Sequence, residues 1–249
     1  MTNLHVATIN IRNLMDRWNE RLPLLLADFA ALQPDVCAMQ EVVFPIQQDR
    51  VIAAGGAATY AIHRGAAQRP EWGNSLLVRD GLHDDGADRV DLGHGRAANR
   101  VRVTPPGGVP VIVASAHLHH EVPDDAIRDE QARLLVEWLD EASSGEDQIV
   151  MGDFNAPPSE PAYARMVAAG FRSGHLEANG SEPAVTWPSG IVAAGMDTEG
   201  APACLDYIWV RGDIAVVSCR LAFHRPAVSD RTLYPSDHFG LSAVVKSGR

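Results

Sequence analysis

The chain has 249 residues, 46% of them hydrophobic, with 32 acidic against 21 basic side chains and a formal net charge of −11. That length and apolar content suit one domain over residues 1–249 with a substantial core, since nothing in the chain reads as linker, repeat or charge block. The acidic balance argues against a generic nucleic-acid coat, which draws on a basic surface, and favours a small phosphorylated partner over a long polyanion.

His5 to Ile11 alternates around Val6, Thr8 and Ile9 and predicts a strand ending near Asn10. Leu22, Leu25, Leu26 and Phe29 follow helical spacing, and Gln33-Pro34 closes that helix. Asp35 to Gln40 predicts a buried strand that delivers Glu41, and residues 46–54 a short helix. After a glycine-rich region, Asn74 to Val78 is the next strand, and Arg100 to Thr104 with Val109 to Ser115 forms a hairpin around Pro105-Pro106-Gly107-Gly108. Its second arm ends at His117. Ile127, Gln131, Leu134, Leu135 and Trp138 mark an amphipathic helix, begun by Asp124-Asp125 and stopped near Ser144-Gly145. Gln148 to Gly152 predicts a strand and Ser159 to Ala169 a helix ended by Gly170. Strands over 204–210, 215–223 and 240–245 close the chain, and the long loop 174–203 is a candidate substrate rim.

Helices alternate with strands early, while hairpins and long strands dominate later. A simple parallel sheet would need regular crossovers throughout, so the expected fold is α/β with two sheets face to face and helices outside. No apolar run approaches the ~18 residues of a membrane span, and the N-terminus lacks a signal-peptide core. Cys37, Cys204 and Cys219 lie in apolar runs and read as buried thiols in a reducing compartment, so the expected location is the cytoplasm.

Several apolar runs end in residues that a strand has no structural need for. Thr8-Ile9-Asn10, Gln40-Glu41, Ala116-His117-Leu118, Gly152-Asp153-Phe154-Asn155, Leu205-Asp206-Tyr207 and Ser236-Asp237-His238 each put an amide, carboxylate or imidazole at such an end. Meeting in space, they would form the oxygen-ligand and imidazole cluster that metal-assisted phosphoryl chemistry uses. Glu41 and Asp237 are hard anionic ligands for Mg²⁺ or Mn²⁺, and Asn10 offers a neutral carbonyl oxygen, or else caps a turn. Asp153 and Asn155, two apart after a glycine, can share one side if extended: a carboxylate to orient and deprotonate water, an amide for a phosphate oxygen or a second cation. An Asx-turn into the next helix is the plainer alternative.

The ordered set Asn10, Glu41, His117, Asp153/Asn155, Asp206 and Asp237/His238 resembles the endonuclease/exonuclease/phosphatase superfamily, with its deoxyribonucleases, exonuclease III-like abasic endonucleases, neutral sphingomyelinases and inositol polyphosphate phosphatases. The resemblance spans residues 5 to 245 and implies a four-layer α/β/β/α sandwich with the site at one end of both sheets. It also implies that His117 donates to the phosphate, that His238 faces the scissile phosphate and that Asp206 stands behind that ring. A carboxylate there favours the imidazolium form. Ala116 stands where relatives carry threonine, and Leu205 where many carry arginine. With no basic DNA-gripping stretch, the second departure argues against DNA repair.

The resulting expectation is a phosphoesterase using one or two Mg²⁺ or Mn²⁺ ions, attacking a small or lipid-like phosphate ester in line with water. Asn74, Arg100 and Trp187 are further candidates for substrate contact, and His119 and His120 read as solvated loop histidines. A nuclease with the same residues is the alternative enzyme, and a non-catalytic scaffold the alternative of another class.

Overall fold

The computed structural model describes residues 2–143, 145–196 and 200–247. Two six-stranded mixed sheets pack face to face. The first has the order β11-β12-β1-β2-β4-β3, built from β1 (Thr2–Asn10), β2 (Val36–Val43), β3 (Tyr60–Ala66), β4 (Trp72–Arg79), β11 (Ile214–Ala222) and β12 (Gly240–Ser247). The second has the order β5-β6-β7-β8-β10-β9, built from β5 (His83–Gly93), β6 (Arg96–Thr104), β7 (Val111–His117), β8 (Asp147–Asp153), β9 (Arg172–Ser173) and β10 (Asp206–Arg211).

Alternation along the strands sorts side chains into layers. Leu4, Val6, Val36, Ala38 and Leu76 of the first sheet meet Val101, Val113, Ile149, Met151 and Ile208 of the second in a central core. The opposite face of the first sheet buries Ala7, Ile9, Cys37 and Met39 against Leu25 and Phe29 of α1 (Trp18–Leu32) and Ile52 of α2 (Gln48–Ala54). The opposite face of the second buries Ala114, Val150 and Trp209 under Leu135 and Leu139 of α3 (Asp125–Ala142) and Met166 of α4 (Pro161–Ala168). The expected four-layer sandwich is the observed one. All three cysteines are free and buried, and among the described residues no helix is long and apolar enough to cross a membrane.

Several elements differ from the sequence reading, among them the two-residue strand β9, which it did not expect. β3 and β5 lie in the stretches around 60–66 and 83–93, whose glycines and charges hide the alternation; β5 is an edge strand with most of its residues exposed. Loop 174–203 begins with a six-residue helix, α5 (Gly174–Asn179), started by a Ser173 side chain accepting from the Leu176 N–H. Helix α3 ends at Ala142, and Ser144, expected to help stop it, lies outside the described residues.

The strand ends that matter gather at one edge. β1 runs parallel to β2, pairing Asn10 with Gln40, and β7 runs parallel to β8, pairing His117 with Asp153. β10 is antiparallel to β8, so its first residue, Asp206, lies opposite Asp153. β12 is antiparallel to β1, so Asp237 and His238, just before it, reach the same edge.

Gly152 is what allows β7 and β8 to approach here. Its φ is +143°, and a Cβ at this position would sit 2.0 Å from the Ala116 carbonyl oxygen. Gly152→Ala must move backbone flanked by His117 and Asp153, and should cost about 3 kcal/mol or more in urea unfolding. Gly107→Ala, with φ +71° and open space around it, should cost only about 1 kcal/mol. Equal midpoints for the two variants would refute this account of the strand approach.

Candidate active site

Asn10, Glu41, His117, Asp153, Asn155, Asp206, Asp237 and His238 come together at the shared edge of the two sheets. Glu41, His117, Asp153, Asn155, Asp237 and His238 line a single cavity of about 1040 Å³. Asn10 lies beneath its floor: its Nδ2 donates 3.1 Å to Glu41 Oε1 and 2.9 Å to Asp153 Oδ2, joining an acid of each sheet through one amide.

Glu41 reaches the cavity because β2 bulges. The pairing with β4 shifts register between Met39 and Val42, and Glu41 itself has φ +58°. Bulges re-aim a side chain at the rim of a sheet, and a left-handed non-glycine residue carries strain that its surroundings must hold. Asn13 Nδ2 donates 2.8 Å to Glu41 Oε2 and completes that hold. The loop carrying Arg12 and Asn13 is pinned by Arg21, a fully buried guanidinium that donates to the carbonyls of Ile11, Arg12, Met15, Asp16 and Pro235. Burial lowers the Arg21 pKa to about 10 against the pull of Asp237 and Asp16. One cation thereby ties the loop after β1 to the segment that presents Asp237.

Two sequence expectations change in detail. Asn10 turns its NH₂, not its carbonyl oxygen, toward the acids, and its Oδ1 accepts from the Arg12 N–H at 2.9 Å. In this arrangement it bridges the two carboxylates. Asp153 does form the Asx-turn, its Oδ1 accepting from the Asn155 N–H at 2.9 Å. Asn155 has φ +49°, and its NH₂ is held by the Leu118 carbonyl at 3.1 Å, so its Oδ1 is the atom without a protein partner among the described residues. An acceptor suits a cation better than a phosphate oxygen.

The two histidines are set in opposite protonation states. His238 Nδ1 lies 2.9 Å from Asp206 Oδ2, and its Nε2 lies 3.7 Å from Asp153 Oδ2. Burial alone would lower its pKa, but Asp206, Asp153 and Asp237 outweigh burial and hold it well above the usual histidine value. His117 is held well below that value, first by burial and then by Arg96 and His238. Arg96 Nη1 lies 3.0 Å from each ring nitrogen of His117. Burial also pushes Asp153 up to about 6, opposed by the charge on His238.

Arg96 is the residue that sequence reasoning passed over in favour of Arg100. Both face the same side of β6, but Arg100 lies under α3, with its guanidinium 3.9 Å from the Trp138 ring centre and paired to Asp88. Arg96, at the start of the strand, escapes that cover and enters the cavity, 93% buried, with no carboxylate within ion-pair distance among the described residues. Its place as the first residue after Gly95, opposite the His117 end of β7, was the available signal. Asn74 is also away from the cavity: its NH₂ donates to the Ala97 carbonyl and locks β4 to β6. Trp187 does line the cavity and donates 3.3 Å to Asp237 Oδ2.

A divalent cation fits this donor set. Glu41, Asp153 and Asp237 are hard oxygen donors lining the cavity, Asp153, Asp206 and His238 offer ligand atoms within 4.8 Å of one another, and among the described residues the Asn155 amide oxygen and the buried Asp206 Oδ1 have no partner.

The Endonuclease/Exonuclease/phosphatase family matches residues 7–238. The chain is a member of that family. The Escherichia coli (strain K12) protein YbhP is 30% identical over 203 residues, covering 74% of this chain and 78% of YbhP. The crystal structure of the endonuclease/exonuclease/phosphatase from Bacteroides vulgatus superposes with a TM-score of 0.80 at 20% identity, with all of both chains covered. The human Nocturnin catalytic domain with bound sulfate gives 0.79 at 22% identity, over 98% of this chain and 93% of that one. D. rerio TDP2 complexed with single-strand DNA product gives 0.80 at 16%, over 99% and 100%. These structural likenesses establish the family's sandwich as the fold of this chain.

The opposed imidazoles are directly observable. In the cation-free protein, ring ¹⁵N shifts should report that His238 keeps its second proton to higher pH than a free imidazole and that His117 loses its own at lower pH. Arg96→Met should move the His117 titration upward toward the ordinary value. A His238 that titrates with its free value would contradict the arrangement.

Proposed function

We propose that this family member is a divalent-cation-dependent phosphodiesterase, one catalytic domain acting on a small or lipid-like phosphodiester by in-line attack of water. The observation that carries the reading is the convergence of Glu41, Asp153 and Asp237 with one imidazole held cationic and one held neutral in one cavity. A bound Mg²⁺ or Mn²⁺ would be held by Glu41, Asp237, Asp153 and the Asn155 oxygen and would neutralise charge developing on the phosphoryl oxygens.

The side chains account for the remaining chemistry. Asp153, with its pKa raised toward neutrality, is suited to orient water and accept its proton. His238, kept cationic by Asp206, offers a charged donor to a phosphate oxygen as negative charge grows there. His117 is neutral and donates from one nitrogen, and Arg96 adds a guanidinium near Glu41 and Asp153 but within ion-pair distance of no carboxylate among the described residues.

Cavity size supports a compact substrate. A volume of about 1040 Å³ suits a nucleotide or a lipid headgroup, and the half-buried Trp72 and Trp187 offer faces for a ring or an acyl stem. The net charge of −11 works against a long polyanion. A nuclease is the second reading, favoured by Arg12, Arg69, Arg96 and Arg128 on the cavity wall.

With Mg²⁺ and bis-p-nitrophenyl phosphate, EDTA should abolish turnover, and Asp153→Asn or His238→Ala should lower kcat by about 10²–10⁴-fold with unfolding midpoints near wild type. Near-normal activity in either variant would overturn the assignments. Single-stranded DNA, abasic duplex, nucleotides and glycerophosphodiesters compared in parallel separate the two readings. DNA cleavage that outpaces the small diesters and falls steeply with salt would select the nuclease.

A further inference from the structure

One wall of the catalytic cavity is apolar, and it starts at Asp237. Trp187 Nε1 donates 3.3 Å to Asp237 Oδ2. The far edge of the same indole lies against Gly200, where a Cβ would sit 3.2 Å from Trp187 Cζ3 and 3.9 Å from Val122 Cγ2. A backbone bridge from Trp187 to Ala203 sets Ala203 beside the indole, and Leu205 follows two residues on. Val122, Trp187, Ala203 and Leu205 all line the cavity. Arg128 and Glu160 border it next to Val122, but they pair with each other at 2.8 and 2.9 Å. Around His117 the lining is instead polar, with Arg96 and His120.

The apolar side chains face the cavity from backbone that is tied down. Val122 is 66% exposed, yet its carbonyl accepts from Arg128 Nη2 at 3.0 Å and that of Glu121 from Arg128 Nη1 at 2.6 Å, and Arg128 is itself buried. His119, on the same segment, is not the solvated loop residue that its sequence context suggests. It is buried, its N–H donates 2.7 Å to Gln131 Oε1, and its Nε2 lies 2.9 Å from Asp124 Oδ2. Leu205 is half-buried and held on both sides: its N–H donates 2.8 Å to Thr186 Oγ1, and its carbonyl accepts from the Phe154 N–H at 2.8 Å. It therefore stands between the segment that carries Trp187 and the one that carries Asp153. Single apolar residues scattered over a surface are ordinary, but a contiguous run fixed inside a concave site and bordered by polar groups marks ligand recognition.

We propose that Val122, Trp187, Ala203 and Leu205 form an apolar subsite for an uncharged alkyl or aryl group esterified to the phosphoryl group in the catalytic pit. The inference rests on the phosphodiester reading above and adds which kind of ester arm the cavity selects. An alkyl chain or a ring laid on this wall removes apolar surface from water on both partners, at about fourfold in affinity for each fully buried methylene. Nothing on the wall offers a charged group to a second phosphate, so the arm it takes is neutral.

Calorimetry with phosphonates, whose C–P bond phosphoester hydrolysis does not cleave, reads the subsite apart from turnover. With Mg²⁺ present, hexylphosphonate or phenylphosphonate should bind wild type about 10-fold or more tighter than methylphosphonate. A larger gain for hexyl identifies an alkyl chain, and a larger gain for phenyl a ring. Val122→Ser replaces an exposed side chain and leaves the core intact; it should narrow the gap by about threefold or more, as should Leu205→Asn, with methylphosphonate binding unchanged. Arg69→Ala, which lines the cavity outside the subsite, should preserve the gap. No binding of any of the three phosphonates, equal binding of all three by wild type, or an undiminished gap in both subsite variants would each overturn the proposal. Hydrolysis of bis-p-nitrophenyl phosphate without a gap would overturn the subsite alone, whereas a gap without any hydrolysis would support the subsite and refute the diesterase reading.

Discussion

One amide holds the site in register. Asn10 donates to Glu41 in its own sheet and to Asp153 in the other, so two carboxylates that repel each other are spaced by a shared donor. Each oxygen within that shell is partly desolvated, and negative charge so confined is costly unless it is paired. Arg21 and Arg12 compensate from the side, one by tying loops and the other at 3.5 Å from Asp237. The surplus negative charge that remains is the charge a bound cation would neutralise.

The second organising feature is the difference between the two imidazoles. His238 is surrounded by carboxylates and His117 by a guanidinium, although the two share Asp153 as a neighbour at 3.7 and 3.5 Å. The same cavity therefore presents one fixed cationic donor and one neutral one. The asymmetry comes from Asp206 at the start of β10 and Arg96 at the start of β6, residues that touch the histidines from behind.

Much of this was legible in the chain. Strands that end in Asn-Glu-His-Asp chemistry stood out because a core strand has no reason to stop that way, and the six patches do converge. The elements that were missed carry weak patterns: β5 alternates little because it is a largely exposed edge strand, and β3 pairs only with β4. Among the candidate contacts, Arg100 and Asn74 failed for a reason that local sequence cannot supply. Strand parity puts Arg96 and Arg100 on one face, and only the position of α3 decides which is covered. Asn74 points into the interface between sheets, where it joins β4 to β6. The direction in which the Asn10 amide turns likewise depends on an acid 143 residues away.

The buried cysteines carry a consequence of their own. Burial pushes the thiols of Cys37 and Cys204 far above their ordinary range and that of Cys219 up to about 12. Only the thiolate attacks electrophiles, so the native chain is close to inert toward alkylating reagents. Iodoacetamide uptake then becomes a clock for opening, with two reporters on the first sheet, one just before β10 of the second, and no label introduced into the molecule.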